Sequence, residues 1–211
     1  MNYYYLKITI NTEKKIKAQI TCKCSRCKLT LNYASPSLSL LCGCKDCREA
    51  LIWGFKQGGN PPQILPQLLY IRSDIKKIQG LEFLRAFQLR ENAKSTRVYC
   101  IKCFSILGVD HPGYKNNVFM FFKGFCHTNF DLDIKPSAAI YLKDFPEHLI
   151  YEIPDDVDKY WSFANKERER FFMIPEVSNS LREVMIPPEG ITFREMILKL
   201  PEIEILNLPT N

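Results

Sequence analysis

The residues best equipped for chemistry in this chain are cysteines. Eight of the nine fall into three short clusters: Cys22, Cys24 and Cys27 in CKCSRC, Cys42, Cys44 and Cys47 in CGCKDC, and Cys100 and Cys103 in CIKC, with Cys126 alone. A thiolate is a soft donor that binds zinc at about 2.3 Å, and closely spaced cysteines bring two donors to one ion with little loop entropy to lose. Cysteines one residue apart share a face of an extended chain, roughly 6 to 7 Å apart at the backbone, a gap that converging side chains at a bent strand can close. Two CxCxxC clusters and a CxxC therefore point to bound metal, with zinc ahead of an iron–sulfur cluster. Spacing alone leaves open whether the thiols form two closed four-cysteine sites that staple the chain, as zinc ribbons do, or a set with a position free for chemistry.

Thiols used in this way belong in a reducing compartment. The N-terminus, Met-Asn-Tyr-Tyr-Tyr-Leu-Lys, lacks the basic region and long apolar stretch of a secretory signal, so a cytoplasmic or nuclear protein without a disulfide framework is expected. Apolar runs such as 118–122 fall far short of the roughly 20 residues that span a membrane, so no membrane role is expected. The net charge of +6 is mild, and Lys and Arg are scattered. It suits an anionic ligand, nucleic acid or acidic protein tails about equally, and nothing singles out nucleic acid. At 211 residues and 46% apolar, the chain can bury one sizeable core, and one domain with an extension is the default.

The elements that must position the cysteines are mainly strands. Ile16, Ala18, Ile20, Cys22 and Cys24 occupy alternate positions from Lys15 onward, which predicts a half-buried strand carrying two thiols on one face. The register then passes to Cys27, Leu29, Leu31 and Tyr33, predicting a turn or bulge at Ser25 and Arg26 and hence a hairpin-type corner. Leu6, Ile8 and Ile10 suggest a further strand upstream, and residues 54–66, rich in Gly and Pro, read as a loop. Strand-like runs follow at 68–71, 83–89, 98–100, 118–122 and 138–142. Beyond about residue 145, Tyr160, Phe163, Ala164 and Phe171 predict a helix over 159–172. Ser180 with Glu183, and Thr192 with Glu195, have capping-box spacing for short helices ending at Pro187 and Pro201. His111 and His127 read as surface or structural histidines, and Trp161 with its aromatic neighbours as a helix face packed on the domain.

The order of motifs resembles that of the glutathione-dependent formaldehyde-activating enzymes, a family that also includes centromere protein V. The correspondence covers roughly residues 15–145 and rests on Cys22 and Cys24, on Cys42, Cys44, Cys47, Arg48 and Ala50, and on Arg97, Cys100, Cys103, Ser105 and Leu107, with Lys135 and Pro136 leading a closing strand. The resemblance implies a mainly β fold, a β-tent of small antiparallel sheets with zinc sites, in a domain of residues 1–145, with short C-terminal helices in an extension of residues 146–211. It implies two zinc ions. A structural one would sit on Cys22, Cys24, Cys100 and Cys103, and a catalytic-like one on Cys42, Cys44 and Cys47 with room for an exogenous ligand. Cys27 would be no ligand, although the residues themselves leave it open as a fourth donor to the second ion. The implied activity is that of a carbon–sulfur lyase: glutathione or another small thiol is bound at the three-cysteine zinc and added to formaldehyde or a related aldehyde. The alternative is a non-catalytic interaction or assembly module that takes protein partners through the C-terminal extension. This chain has Ser25 and Phe104 where that family places glycine, and Leu51, Ile52 and Trp53 where it places small residues, so bulkier pocket walls are expected.

Overall fold

The computed structural model describes residues 18–162, 164–182 and 188–209. The strand expected over 6–10, the start of the alternation at Ile16, and Phe163, Glu183 and Pro187 lie outside the described residues. The described residues form 13 strands in two sheets with four short α-helices, so the chain is mainly β, as the sequence leads one to expect. In chain order these are β1 (Ala18–Thr21), β2 (Lys28–Leu31), β3 (Leu38–Cys42), α1 (Lys45–Lys56), β4 (Gln67–Arg72), β5 (Ile75–Gln79), β6 (Leu84–Gln88), β7 (Thr96–Cys100), β8 (Ile106–Asp110), β9 (Val118–Phe122), β10 (His127–Thr128), β11 (Ala138–Ile140), β12 (Asp158–Lys159), α2 (Asn165–Phe172), α3 (Pro175–Leu181), α4 (Phe193–Ile197) and β13 (Glu204–Ile205).

The smaller sheet runs β10-β1-β2-β5 and is antiparallel; the larger runs β12-β11-β3-β4-β9-β8-β7-β6-β13. Parallel pairs in the larger sheet are confined to its margins, where β11 joins β3 and β12, and β13 joins β6. Its central strand, β9, is buried along its whole length, VFMFF, which is the run of apolar residues expected of a strand covered on both faces. The period of two then sorts its side chains. Val118, Met120 and Phe122 enter one core beneath α1, α2 and α3, whereas Phe119 and Phe121 enter a second core shared with Ile20, Leu29 and Ile75 of the smaller sheet. Each fully buried phenylalanine contributes roughly 1.5–3 kcal/mol. One sheet thus carries a core on each face.

Four local expectations are corrected. Cys22 and Cys24 do not extend a strand: β1 ends at Thr21, and both thiols lie in the turn to β2, closed by Cys22 N–H to Cys27 C=O at 3.0 Å and Ser25 N–H to Cys22 C=O at 2.9 Å. The expected corner at Ser25 is present, with that residue in the left-handed region at φ 61°. Residues 45–56 form α1, so the loop begins only at Gln57; local breakers such as Gly58 stop the helix but do not prevent it. The helix expected over 159–172 starts at Asn165, because residues 158–159 are drawn into the larger sheet beside β11. Thr192 and Glu195 make their capping box at the start of α4, but Ser180 lies in the last turn of α3, where its hydroxyl meets Ser37 Oγ at 2.9 Å.

Residues beyond 145 pack onto the rest at several points. Phe193 stacks on Phe119 at 4.5 Å, so tightly that a Cβ on Gly108 would lie 2.6 Å from its ring. Asp74, fully buried, accepts from Asn32 Nδ2 at 2.8 Å, Gly190 N–H at 2.8 Å and Glu189 N–H at 3.1 Å. Among the described residues no helix is long and apolar enough to cross a membrane.

Candidate metal centres

The sheets gather the clustered cysteines into two groups whose sulfurs all lie within 4.8 Å of one another: Cys22, Cys24, Cys100 and Cys103, and Cys42, Cys44 and Cys47. Either group could hold a metal ion. None of the nine cysteines forms a disulfide.

The first group is assembled by two turns that face each other. Cys22 and Cys24 come from the β1–β2 turn, Cys100 ends β7, and Cys103 lies in the turn that follows. Cys22 and Cys24 sulfurs are 3.6 Å apart, and those of Cys24 and Cys100 are 3.8 Å apart. Ser105, fully buried, stitches the turns together: its Oγ accepts from Lys23 N–H at 3.2 Å and lies 3.3 Å from Cys103 Sγ. Burial pushes the Cys22 thiol up to about 12. Burial also raises Cys103, but hydrogen bonds from Ser105 and from the Cys24 backbone outweigh it and bring that thiol down to about 7. Cys27 belongs to this side of the sheet and not to the second group. It is buried in the core between the sheets and donates to Gly80 C=O at 3.5 Å, and burial pushes its thiol well up. It therefore cannot serve as a fourth donor to Cys42, Cys44 and Cys47. Cys126 packs nearby, its sulfur 3.4 Å from Ile106 C=O.

The second group sits at the junction of β3 and α1. Leu38, Leu40 and Cys42 follow the period of β3 into the core on the helical side, so Cys42 points away from the first group. Gly43 is needed there, because a Cβ would lie 2.9 Å from Phe145 Cβ and 3.0 Å from Tyr141 C=O. Cys44 caps α1, its sulfur accepting from Cys47 N–H at 3.3 Å. One turn on, Cys47 brings its sulfur to 3.8 Å from that of Cys42. Arg48 locks the junction by donating to Gly43 C=O at 2.6 Å and to Asp144 C=O. Hydrogen bonds from Cys42 and Cys47 hold the Cys44 thiol well below its ordinary range, helped by Cys47 N–H and the charge of Arg97. The sharing with Cys44 and Cys47 in turn keeps Cys42 well above it.

All three thiols of this group line a cavity of about 740 Å³, within the usual range for small-molecule sites. The cavity is lined by residues of β3, β4, β7 and β9 and of α2 and α3, among them Phe171, Phe172 and Leu181. Tyr70, buried, and Tyr114, partly buried, line it as well, their hydroxyls sharing a hydrogen bond and their rings 5.4 Å apart. Burial pushes both phenols up, so they stay protonated. The expectation of bulky walls from Leu51, Ile52 and Trp53 is overturned. Leu51 is in the core, Ile52 faces outward, and Trp53 packs on Phe87, Tyr99 and Phe104; none of the three lines the cavity. His127 is exposed, but His111 lines the cavity, its Nδ1 accepting from Gly113 N–H at 2.9 Å; burial and the charge of Lys94 hold it below its ordinary range.

Sequence reasoning missed Tyr70, Tyr114 and the wall supplied by α2 and α3. No short-range signal marks them, since they reach the cysteines only through strand pairing and packing. Comparison with protein-family models gives no match, and comparison with curated proteins gives none either.

Proposed function

We propose that the chain holds two zinc ions, one enclosed by Cys22, Cys24, Cys100 and Cys103 and one on Cys42, Cys44 and Cys47, and that the second site binds a small thiol such as glutathione and adds it to formaldehyde or a related small aldehyde. One observation carries this reading: three thiols, not four, converge in the wall of a cavity large enough for a small molecule. Sulfurs around a tetrahedral zinc at about 2.3 Å stand about 3.8 Å apart, and the closest pairs here, at 3.6 and 3.8 Å, fit that spacing. When bound in an open site, zinc holds an entering thiol as thiolate near neutral pH.

The rest of the work falls to the protein. Cys44 and Cys47 lie at the N-terminus of α1, where the helix dipole favours the negative charge of thiolates. Phe171, Phe172 and Leu181 give the cavity an apolar wall that disfavours water. As the carbon–sulfur bond forms and the carbonyl π bond breaks, the aldehyde oxygen gains a proton that balances the one the thiol gave up and becomes the hydroxyl of a hydroxymethyl thioether, and the protonated phenols of Tyr70 and Tyr114 are among the donors that line the cavity. The reverse reaction breaks the same bond, as a lyase does. The motif order that resembles the formaldehyde-activating family supports this reading, and two departures from it become intelligible: Ser25 and Phe104 both adopt left-handed backbone, at φ 61° and 50°, which glycine enters without strain.

A non-catalytic assembly role, resembling that of centromere protein V, is favoured by one feature, the large side chains Tyr151, Met173 and Leu198, each 78–80% exposed in the C-terminal extension. Cobalt(II) substitution separates the two. Glutathione is expected to shift the thiolate-to-metal bands of one of two ions, and with ¹³C-formaldehyde the hydroxymethyl product should appear faster than without protein. Bands unmoved by millimolar glutathione would sink the enzymatic reading in favour of assembly.

A further inference from the structure

We propose that Arg97 makes the cavity selective for an anionic ligand: it is the counter-charge awaiting the acid group of whatever small thiol binds beside Cys42, Cys44 and Cys47. The inference rests on the reading that the cavity takes a small thiol, and it goes on to name the group on the ligand that is recognised and the residue that recognises it.

Arg97 lies on β7, and its odd position turns it to the cavity side, opposite Val98 and Cys100. It is only 2% exposed. Its guanidinium lies over the Phe87 ring at 5.9 Å and reaches two backbone carbonyls at long range, Ser95 C=O at 3.3 Å and Asp46 C=O at 3.5 Å, while its Nε–H has no acceptor. No carboxylate among the described residues lies within ion-pair distance of it. The nearest acids on α1, Asp46 and Glu49, are both held by Arg90. A buried cation left in this state is costly, and proteins pair such groups.

The cysteine group offsets only part of the charge around it. Three thiolates around a divalent ion carry one net negative charge, whereas Lys94, Lys143 and Arg168 line the cavity together with Arg97, against Asp46 and Asp144, and Lys45 there is paired with Glu49. The surplus is positive, and a low-dielectric cleft concentrates its field. A planar guanidinium is suited to a carboxylate, which it can bind through two parallel N–H donors. An entering acid group would complete the hydrogen bonding of Arg97.

The test compares 3-mercaptopropionate with its uncharged amide, and propionate with propionamide, binding to the metal-loaded full chain in NMR titrations. In the native protein each acid is expected to bind about tenfold tighter than its amide, the scale of one charge-assisted hydrogen bond. Arg97→Gln should bring the ratio close to one, and Arg97→Lys should keep part of it, since the charge remains and the fork is lost. A native ratio near one overturns the proposal without any variant. So does a preference left unchanged in folded Arg97→Gln or, if that variant does not fold, in Arg97→Lys. If no thiol perturbs the cobalt bands but propionate keeps an Arg97-dependent preference, the anion site stands and the thiol reading falls.

Discussion

The two cysteine groups lie on opposite faces of one sheet, and they differ in how much chain each one ties together. Cys24 and Cys100 are 76 residues apart, and their group joins the turn of the smaller sheet to the end of β7 in the larger. Cys42 and Cys47 are five residues apart, at a single strand–helix junction. An ion in the first group closes a long loop and removes much entropy from the unfolded chain; one in the second closes almost nothing. The first has four thiols and the core between the sheets around it, whereas the second has three and a cavity in front of it. On the proposed reading, the same residue type would serve stability on one face and ligand binding on the other.

The sharpest way to break this contrast is to remove one thiol from each group. Cys100→Ser is expected to cost more than about 5 kcal/mol, or to abolish cooperative unfolding, because binding free energy at a structural site is folding free energy. Cys47→Ser should lose one metal equivalent and the response to thiols while costing less than about 2 kcal/mol. Equal losses in chemical denaturation would erase the distinction. Acid sharpens it in another way: as pH falls from 7, protons compete for the thiolates, and the three-thiol site should release its metal to a chromophoric chelator first.

On the side of the first group, Asp74→Asn is expected to cost about 1–3 kcal/mol. Burial raises this carboxyl, but hydrogen bonds from Asn32, Gly190 and Glu189 bring it below its ordinary range. Its contribution is therefore present above about pH 4, the unfolded value, and lost as pH falls through the folded one; the variant should lose that part of the acid dependence. On the other side, Arg48→Ala frees Gly43 and Asp144 and should cost about 1–2 kcal/mol, with weakened metal binding at the second group alone. The smallest effect is expected at Ser25→Gly, a gain of at most about 1 kcal/mol from relief of left-handed strain. Phe104→Gly should lose stability in spite of the same relief, since its ring packs on Trp53 and Tyr99.

Much of the scaffold is legible locally. The buried run of β9, the shift of register at Ser25 and the Thr192–Glu195 capping box are short-range patterns, and each is set by backbone geometry within a few residues. The helix α1 is less so, because its apolar residues serve two surroundings, Leu51 in the core and Trp53 among Phe87, Tyr99 and Phe104, and the pattern follows neither alone. Cys22 and Cys24 mislead for a related reason, since their alternate spacing is that of a strand while the chain there is already turning.

What the sequence determined by itself is which short clusters carry thiols able to hold a metal ion, because ligand spacing of two or three residues is enough to bring sulfurs together. Only the tertiary structure decided how the clusters combine. Strand pairing joins Cys22 and Cys24 to Cys100 and Cys103, the parity of β3 and β7 sends Cys42 and Arg97 to the opposite face, and α2 and α3 return to wall the cavity there. Those contacts span tens of residues and depend on which face of a sheet is covered by what, a choice made by packing and not by any local pattern.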